Sequence, residues 1–180
     1  MADELRLHLG CGTVRLPGFT NIDCRKTAAV DVVDDIGSLP YYRPGTVDLI
    51  YCCHALDHFS RWDYMGVLRR WCELLKNGGV LRLSVVNFAE VVELYRERRN
   101  VTELIGLLHA RQDYHSNVRK MSWDYASLSA DLTKAGFSIV RPWQWQFTDH
   151  AGIDDCSQAY FPNRHANDAR HISLNMEGVK

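Results

Sequence analysis

The sequence predicts an α/β sandwich built on a mostly parallel sheet. Three observations lead there. Short apolar strands alternate with amphipathic helical stretches through the middle of the chain, several strands stop at glycine, acid or histidine, and Val47–Cys53 is apolar almost throughout. Strands buried on both faces read that way, and they belong to parallel sheets covered by helices.

Leu5, Leu7 and Leu9 alternate with polar residues and stop at Gly10-Cys11-Gly12, a strand followed by a turn whose backbone a ligand can approach closely. Pro17-Gly18 marks a turn, and Phe19–Asp23 reads as a second strand ending on a carboxylate. The gap between the two strands is shorter than the roughly a dozen residues of a helical crossover. Either a pared-down loop crossover or an antiparallel hairpin joins them. Val30–Ile36 is the third strand, 37–45 a loop and Val47–Cys53 the fourth strand. Ser60–Asp63 has capping-box spacing, heading a helix that presents Tyr64, Val67, Leu68, Trp71, Leu74 and Leu75 on one face. Lys76-Asn77-Gly78-Gly79 is expected to stop that helix, and Val80–Val86 is the fifth strand. Helices are expected from Phe88 to Arg99, Val101 to Ala110 and Ser122 to Ala135, with 113–120 a polar loop and Gly136 a stop. A strand at Phe137–Val140 follows. The stretch 143–167 has no period, although Trp143, Trp145 and Phe147 alternate as one face of a buried strand would. His171–Met176 alternates and closes the sheet.

At 180 residues the chain is expected to form one domain, and a net charge of −1 argues against a nucleic-acid footprint. Arg96, Arg98 and Arg99 read as the solvated end of a helix. Six cysteines without Cys-x-x-Cys spacing point to buried thiols in a reducing cytosol, hence a cytoplasmic protein. His109, His165 and His171 have no partner at metal-ligand spacing, so no metal is expected. The acidic start enters a strand at once and is no signal peptide, and no apolar run approaches the roughly 18 residues of a membrane span.

The glycine turn, Asp23, Asp35-Ile36 and the His54 segment all fall at strand carboxyl ends, which lie along one edge of a parallel sheet. A carboxylate at Asp23 can accept two ribose hydroxyls. Asp35 can accept from an exocyclic amine while the Ile36 N–H donates to a ring nitrogen, with Ile36 and Leu39 sandwiching the base. That is an adenosine pocket. A dinucleotide would also need a third glycine and a helix N-terminus for its pyrophosphate, and Thr13-Val14-Arg15 offers neither.

Leu7-His8-Leu9-Gly10-Cys11-Gly12, Asn21-Ile22-Asp23, Asp35-Ile36-Gly37-Ser38-Leu39-Pro40, His54-Ala55-Leu56-Asp57-His58-Phe59, Leu74–Gly79 and Ile153–Tyr160 together resemble the class I S-adenosylmethionine-dependent methyltransferases, in particular a short, methyltransferase type 11-like branch. The resemblance implies a Rossmann-like class I sandwich, its sheet mostly parallel with an antiparallel final strand and its first crossover helix reduced or absent. It also implies S-adenosyl-L-methionine as cofactor, contacted by Leu9, Gly10, Cys11, Gly12, Asp23, Asp35, Ile36, Cys53 and His54. His8 stands where many members carry an acid, which alters the expected contacts near the cofactor's amino group.

Transfer to a hydroxyl calls for a base near the end of the fourth strand; His54 is the first candidate, with His58 and Asp57 behind it. Acceptor-side groups are expected from Tyr114, His115, His150, Asp154, Asp155 and Gln158. The expected division places the cofactor half at about residues 1–87 and the acceptor side at about 88–170. The expected acceptor is a small polar molecule, with a sugar hydroxyl as one class. A methyltransferase-like binding module without catalysis is the alternative.

Overall fold

A computed structural model describes residues 4–162 and 169–180. Its main sheet has seven strands in the order β3-β2-β1-β4-β5-β9-β6. They are β1 (Arg6–Leu9), β2 (Thr20–Asp23), β3 (Val32–Val33), β4 (Val47–Cys53), β5 (Leu75–Val86), β6 (Ile139–Pro142) and β9 (Ser173–Val179). A separate pair joins β7 (Tyr160–Phe161) to β8 (Arg170–His171). The β1, β2, β3, β4 and β5 pairings are all parallel, so the loop crossover between β1 and β2 is observed and the hairpin is not. Within the described main sheet β9 is the strand that runs against its neighbours, lying between β5 and β6, and the separate β7–β8 pair is also antiparallel.

Alternation along the strands sorts the core into two faces. Leu7, Leu9, Ile50, Cys52, Leu81 and Leu83 pack on the face covered by α1 (Tyr64–Leu74) and α4 (Tyr125–Ala135), against Leu68, Trp71, Leu128 and Leu132. Among the described residues no α-helix packs in the cluster on the opposite face of β1 and β4. Leu16, Phe19 and Trp143 close it instead, the Phe19 and Trp143 rings standing edge-on to Tyr51. Loops from both ends of the chain thus do the work of the missing crossover helix. A third cluster, with Val86, Val91, Leu94 and Leu104, seats α2 (Phe88–Arg98) and the short α3 (Ile105–His109).

Several boundaries differ from expectation. The third strand keeps only two residues, because Asp34 and Asp35 turn the chain away by accepting local N–H donors. Helix α1 starts at Tyr64; Ser60 caps the preceding turn by accepting from the Trp62 N–H at 3.2 Å. The glycines do not stop that helix, which ends at Leu74 with Leu75 already extended. Gly78, at φ 79°, instead makes a tight turn inside β5, pinned by Lys76 Nζ donating to both Asp48 oxygens at 2.6 and 2.7 Å. The expected helix at 101–110 splits into a 3-10 turn, Val101–Leu104, and α3. Helix α4 ends as expected on a left-handed Gly136 (φ 115°), and the strand after it starts two residues late. Of the alternating aromatics only Trp143 is buried; Trp145 to Phe147 is a 3-10 turn and Phe147 is exposed. The closing strand starts at Ser173 and runs to Val179, His171 belonging to the separate β7–β8 pair, and it lies between β5 and β6. No disulfide links the cysteines; Cys11, Cys52 and Cys72 are buried, whereas Cys24 and Cys156 are exposed. Arg96 and Arg98 pair with Glu93 and Glu103 on the surface.

Candidate active site

The carboxyl ends of β1, β2 and β4 floor a cleft with two adjoining lobes. The outer lobe, about 350 Å³, is lined by Gly10, Gly12, Asp23, Asp35, Ile36, His54, Phe59, Tyr114 and Lys120 among others. The inner lobe, about 310 Å³, shares Gly10, His54, His58 and Tyr114 with it and adds His8, Cys11, Cys53, Asn117, Arg119 and Asp155.

The turn after β1 is held by the Gly10 and Cys11 N–H groups, which both donate to the Ile22 carbonyl at 2.8 and 3.1 Å. Gly10 sits at φ 69°, and a Cβ there would lie 2.4 Å from that of Ala55; only glycine fits. A Cβ on Gly12 would meet nothing within 4 Å, so the turn is open to the cleft. Asp23 is 7% exposed and accepts from the Gly12 N–H at 2.9 Å and the Arg25 N–H at 2.9 Å, which leaves lone pairs for a ligand. Asp35 accepts from the Gly37 N–H at 2.9 Å, and the Ile36 segment is fixed by Trp71 Nε1 donating to its carbonyl at 2.7 Å. Leu39, expected to sandwich a base with Ile36, is fully buried in the core; Phe59 lines the lobe instead. Leu9 is also core, whereas Cys11 and Cys53 line the inner lobe.

His54 adopts a left-handed backbone (φ 51°), its N–H donating to the Ser84 carbonyl at 2.8 Å. Arg119 Nη2 lies 3.3 Å from its Nδ1 and Ser173 Oγ 2.9 Å from its Nε2. A guanidinium only donates, so Nδ1 is the acceptor and Nε2–H donates to Ser173, whose hydroxyl passes on to the Cys156 carbonyl at 2.5 Å. Burial pulls the His54 pKa down to about 4, opposed in part by Asp57 and reinforced by Arg119. The ring is neutral and both nitrogens are engaged. Asp57 is 1% exposed and does not line the cleft: its carboxylate accepts from Arg119 Nε at 2.5 Å, and its carbonyl from the Lys120 N–H at 2.7 Å. Arg119 also donates from Nη1 to the Gly106 and Leu107 carbonyls at 2.7 and 3.2 Å. The sequence reading missed Arg119, and with reason: all its partners are remote in sequence. His58 faces both lobes; its Nδ1 is buried with no hydrogen-bond partner among the described residues, and its Nε2 lies 4.0 Å from Asp57 Oδ1.

Of the expected acceptor-side residues, Tyr114 lines both lobes and Asp155 the inner one. Tyr114 is held under the Arg25 guanidinium, 3.5 Å from its ring centroid, so the 113–120 loop roofs the cleft. His115 and Asp154 are exposed and stand outside the lining. His150 is 5% exposed, packed 4.6 Å from the Tyr51 ring, and Gln158 donates to the Ala151 and Ile153 carbonyls, holding its own loop. Among the described residues no three His, Cys, Asp or Glu side chains gather as a metal site. His165 lies outside those residues. No described helix is long and apolar enough to cross a membrane.

A methyltransferase-domain family model matches residues 17–83. No curated protein matches the sequence. Among solved structures, the S-adenosylmethionine-dependent methyltransferase from Thermotoga maritima superposes at TM-score 0.63 with 15% identity, covering 100% of this chain and 84% of its own. The Burkholderia thailandensis 1,6-didemethyltoxoflavin-N1-methyltransferase, solved with its acceptor and S-adenosylhomocysteine, superposes at 0.59 with 15% identity, covering 98% and 70%. A Haloferax volcanii chain solved as a complex with the Trm112 methyltransferase activator gives 0.57 with 16% identity, covering 98% and 82%.

Proposed function

We propose that this chain is an S-adenosylmethionine-dependent methyltransferase of class I fold, and that it methylates a hydroxyl of a small polar acceptor, with a sugar as the favoured class. One observation carries the reading: His58 lines both lobes with a partly exposed imidazole, where a group held in one lobe can meet a group held in the other.

The outer lobe suits the cofactor's nucleoside. Asp23 accepts the ribose hydroxyls, Asp35 and the Ile36 N–H address the base edge, and Ile36 with Phe59 offers apolar contact. The open side of Gly12 leaves room for backbone approach. When bound, the cofactor supplies a methyl group on a sulfonium, which needs no Lewis acid to be electrophilic. The chain's task is then to place a hydroxyl and remove its proton. His58 takes that proton, its side chain 23% exposed where it lines both lobes and its Nε2 4.0 Å from Asp57 Oδ1. His54, neutral and engaged at both nitrogens, shapes the floor and is not the base. Tyr114 and Asn117 present polar groups to the inner lobe, whose size falls at the lower end of the roughly 300–1,000 Å³ typical of small-molecule sites.

Calorimetric titration with S-adenosylhomocysteine tests the cofactor reading, and Asp23→Asn should weaken binding by about tenfold or more. With an acceptor found, His58→Gln should lower kcat by about 10²-fold or more while leaving S-adenosylhomocysteine affinity within about twofold. A fully active His58→Gln enzyme overturns the base. A folded chain that binds nothing favours the binding-module alternative. A chain that binds S-adenosylhomocysteine yet turns over no acceptor points to a protein activator, as the Haloferax volcanii neighbour has.

A further inference from the structure

Resting on the methyltransferase reading, we propose that Asp155 is the anchor for the ammonium group at the amino-acid end of the cofactor, so that opposite ends of the chain hold opposite ends of one ligand. The amino-acid end of S-adenosylmethionine carries a cation that must leave bulk water, and it needs an anionic acceptor close to the glycine turn. Strand β1 offers none: the residue beside the turn is His8, whose Nδ1–H donates to Asn21 Oδ1 at 3.0 Å and whose ring burial keeps uncharged. Around the inner lobe, where Gly10 and Cys11 carry the lining away from the adenosine end, Asp155 is the one carboxylate among the described lining residues.

Its surroundings are those of an anion waiting for a cation. Asp155 is 4% exposed. Oδ2 accepts from the Tyr51 hydroxyl at 2.5 Å, and Oδ1 from the Ser157 N–H at 2.8 Å and the Ser157 hydroxyl at 2.5 Å. Those are three neutral donors, against about four that a carboxylate can take. Among the described residues no cation forms an ion pair with it; the nearby Arg119 spends its guanidinium on Asp57, His54 and two carbonyls. A buried carboxylate in that state is costly, and a ligand ammonium in the remaining position offsets the cost. Tyr51 also fixes where the charge sits. It lies on β4 in register with His8 of β1, so its hydroxyl ties a residue 104 positions later in the chain to the strand beside the glycine turn.

The alternative role is a latch that only holds the 155–158 turn. Calorimetry with two ligands separates the two. S-Adenosylhomocysteine carries the ammonium, and 5′-methylthioadenosine shares the nucleoside but lacks the amino-acid end. Asp155→Asn should lower S-adenosylhomocysteine affinity by about 10- to 100-fold, the range for losing a charge-assisted hydrogen bond, and leave 5′-methylthioadenosine within about twofold. Equal losses for both ligands, or no loss for either, overturn the anchor. Should the Asn variant not fold, Asp155→Glu keeps the charge but displaces it, and the same selective loss is expected. If the unaltered protein binds S-adenosylhomocysteine and the variant binds it equally, the anchor falls while the methyltransferase reading stands. If the unaltered protein binds neither ligand, both fall.

Discussion

Arg119 joins three segments that are far apart in sequence: the end of α3, the turn after β4 and, through His54, the start of β9. It is 13% exposed at the side chain and Asp57 only 2%, so removing the guanidinium leaves a buried carboxylate without its cation. Arg119→Met should therefore destabilise the fold by about 3–5 kcal/mol in urea unfolding. Adding Asp57→Asn should recover part of the loss, because the variant amide no longer carries the stranded charge. A cost below about 1 kcal/mol for Arg119→Met would mean that the pair is incidental. Residues of this kind are where sequence reading falls short. Asp23 and Asp35 were legible because a strand's carboxyl end announces them. The partners of Arg119, or of Asp155, are set by packing between segments that no local period relates. For the same reason His54's position after β4 was visible but not the guanidinium facing it.

The glycine turn is the element on which the cleft depends, and its requirement is steric as well as conformational. Gly10→Ala would force a Cβ to within 2.4 Å of Ala55 at a positive φ. The expected cost is on the order of 1–3 kcal/mol from backbone strain alone, with thermal melting as the check and a lost cofactor isotherm as its companion. A variant that melts and binds like the parent would show that the turn relaxes freely. The strands of this region were readable because apolar alternation and glycine punctuation both speak locally. The helix ends were less so. Lys76–Gly79 resembles a helix stop in composition, yet the chain had already become extended at Leu75, and the glycines serve a turn whose other side is Asp48. Composition marked the turn but not which element it belonged to.

Over the whole molecule, acid should act in two stages. Burial lowers the His54 pKa to about 4 and moves His8 the same way, so the unfolded chain binds protons that the folded chain refuses. Stability then falls as pH drops from about 6.5 towards 4. Asp31, held down to about 2 by the Asn21 N–H and amide and by Arg15, adds its own loss below about pH 4, where the unfolded carboxyl protonates first. Melting temperatures followed from pH 8 to 3 should be nearly level above about 7 and decline in both acid windows; a level profile down to pH 4.5 would contradict the buried, neutral histidines. The position of β9 bears on a different process. Residues 173–179 fill the gap between β5 and β6 and pair with seven residues of β5. While a ribosome is still making the chain, β5 has one partnered side and one bare row of amides and carbonyls until that segment emerges. From the completion of β5 at Val86 until Ser173 emerges, the growing chain therefore carries an open sheet edge, a state in which transient cover by a chaperone would favour yield.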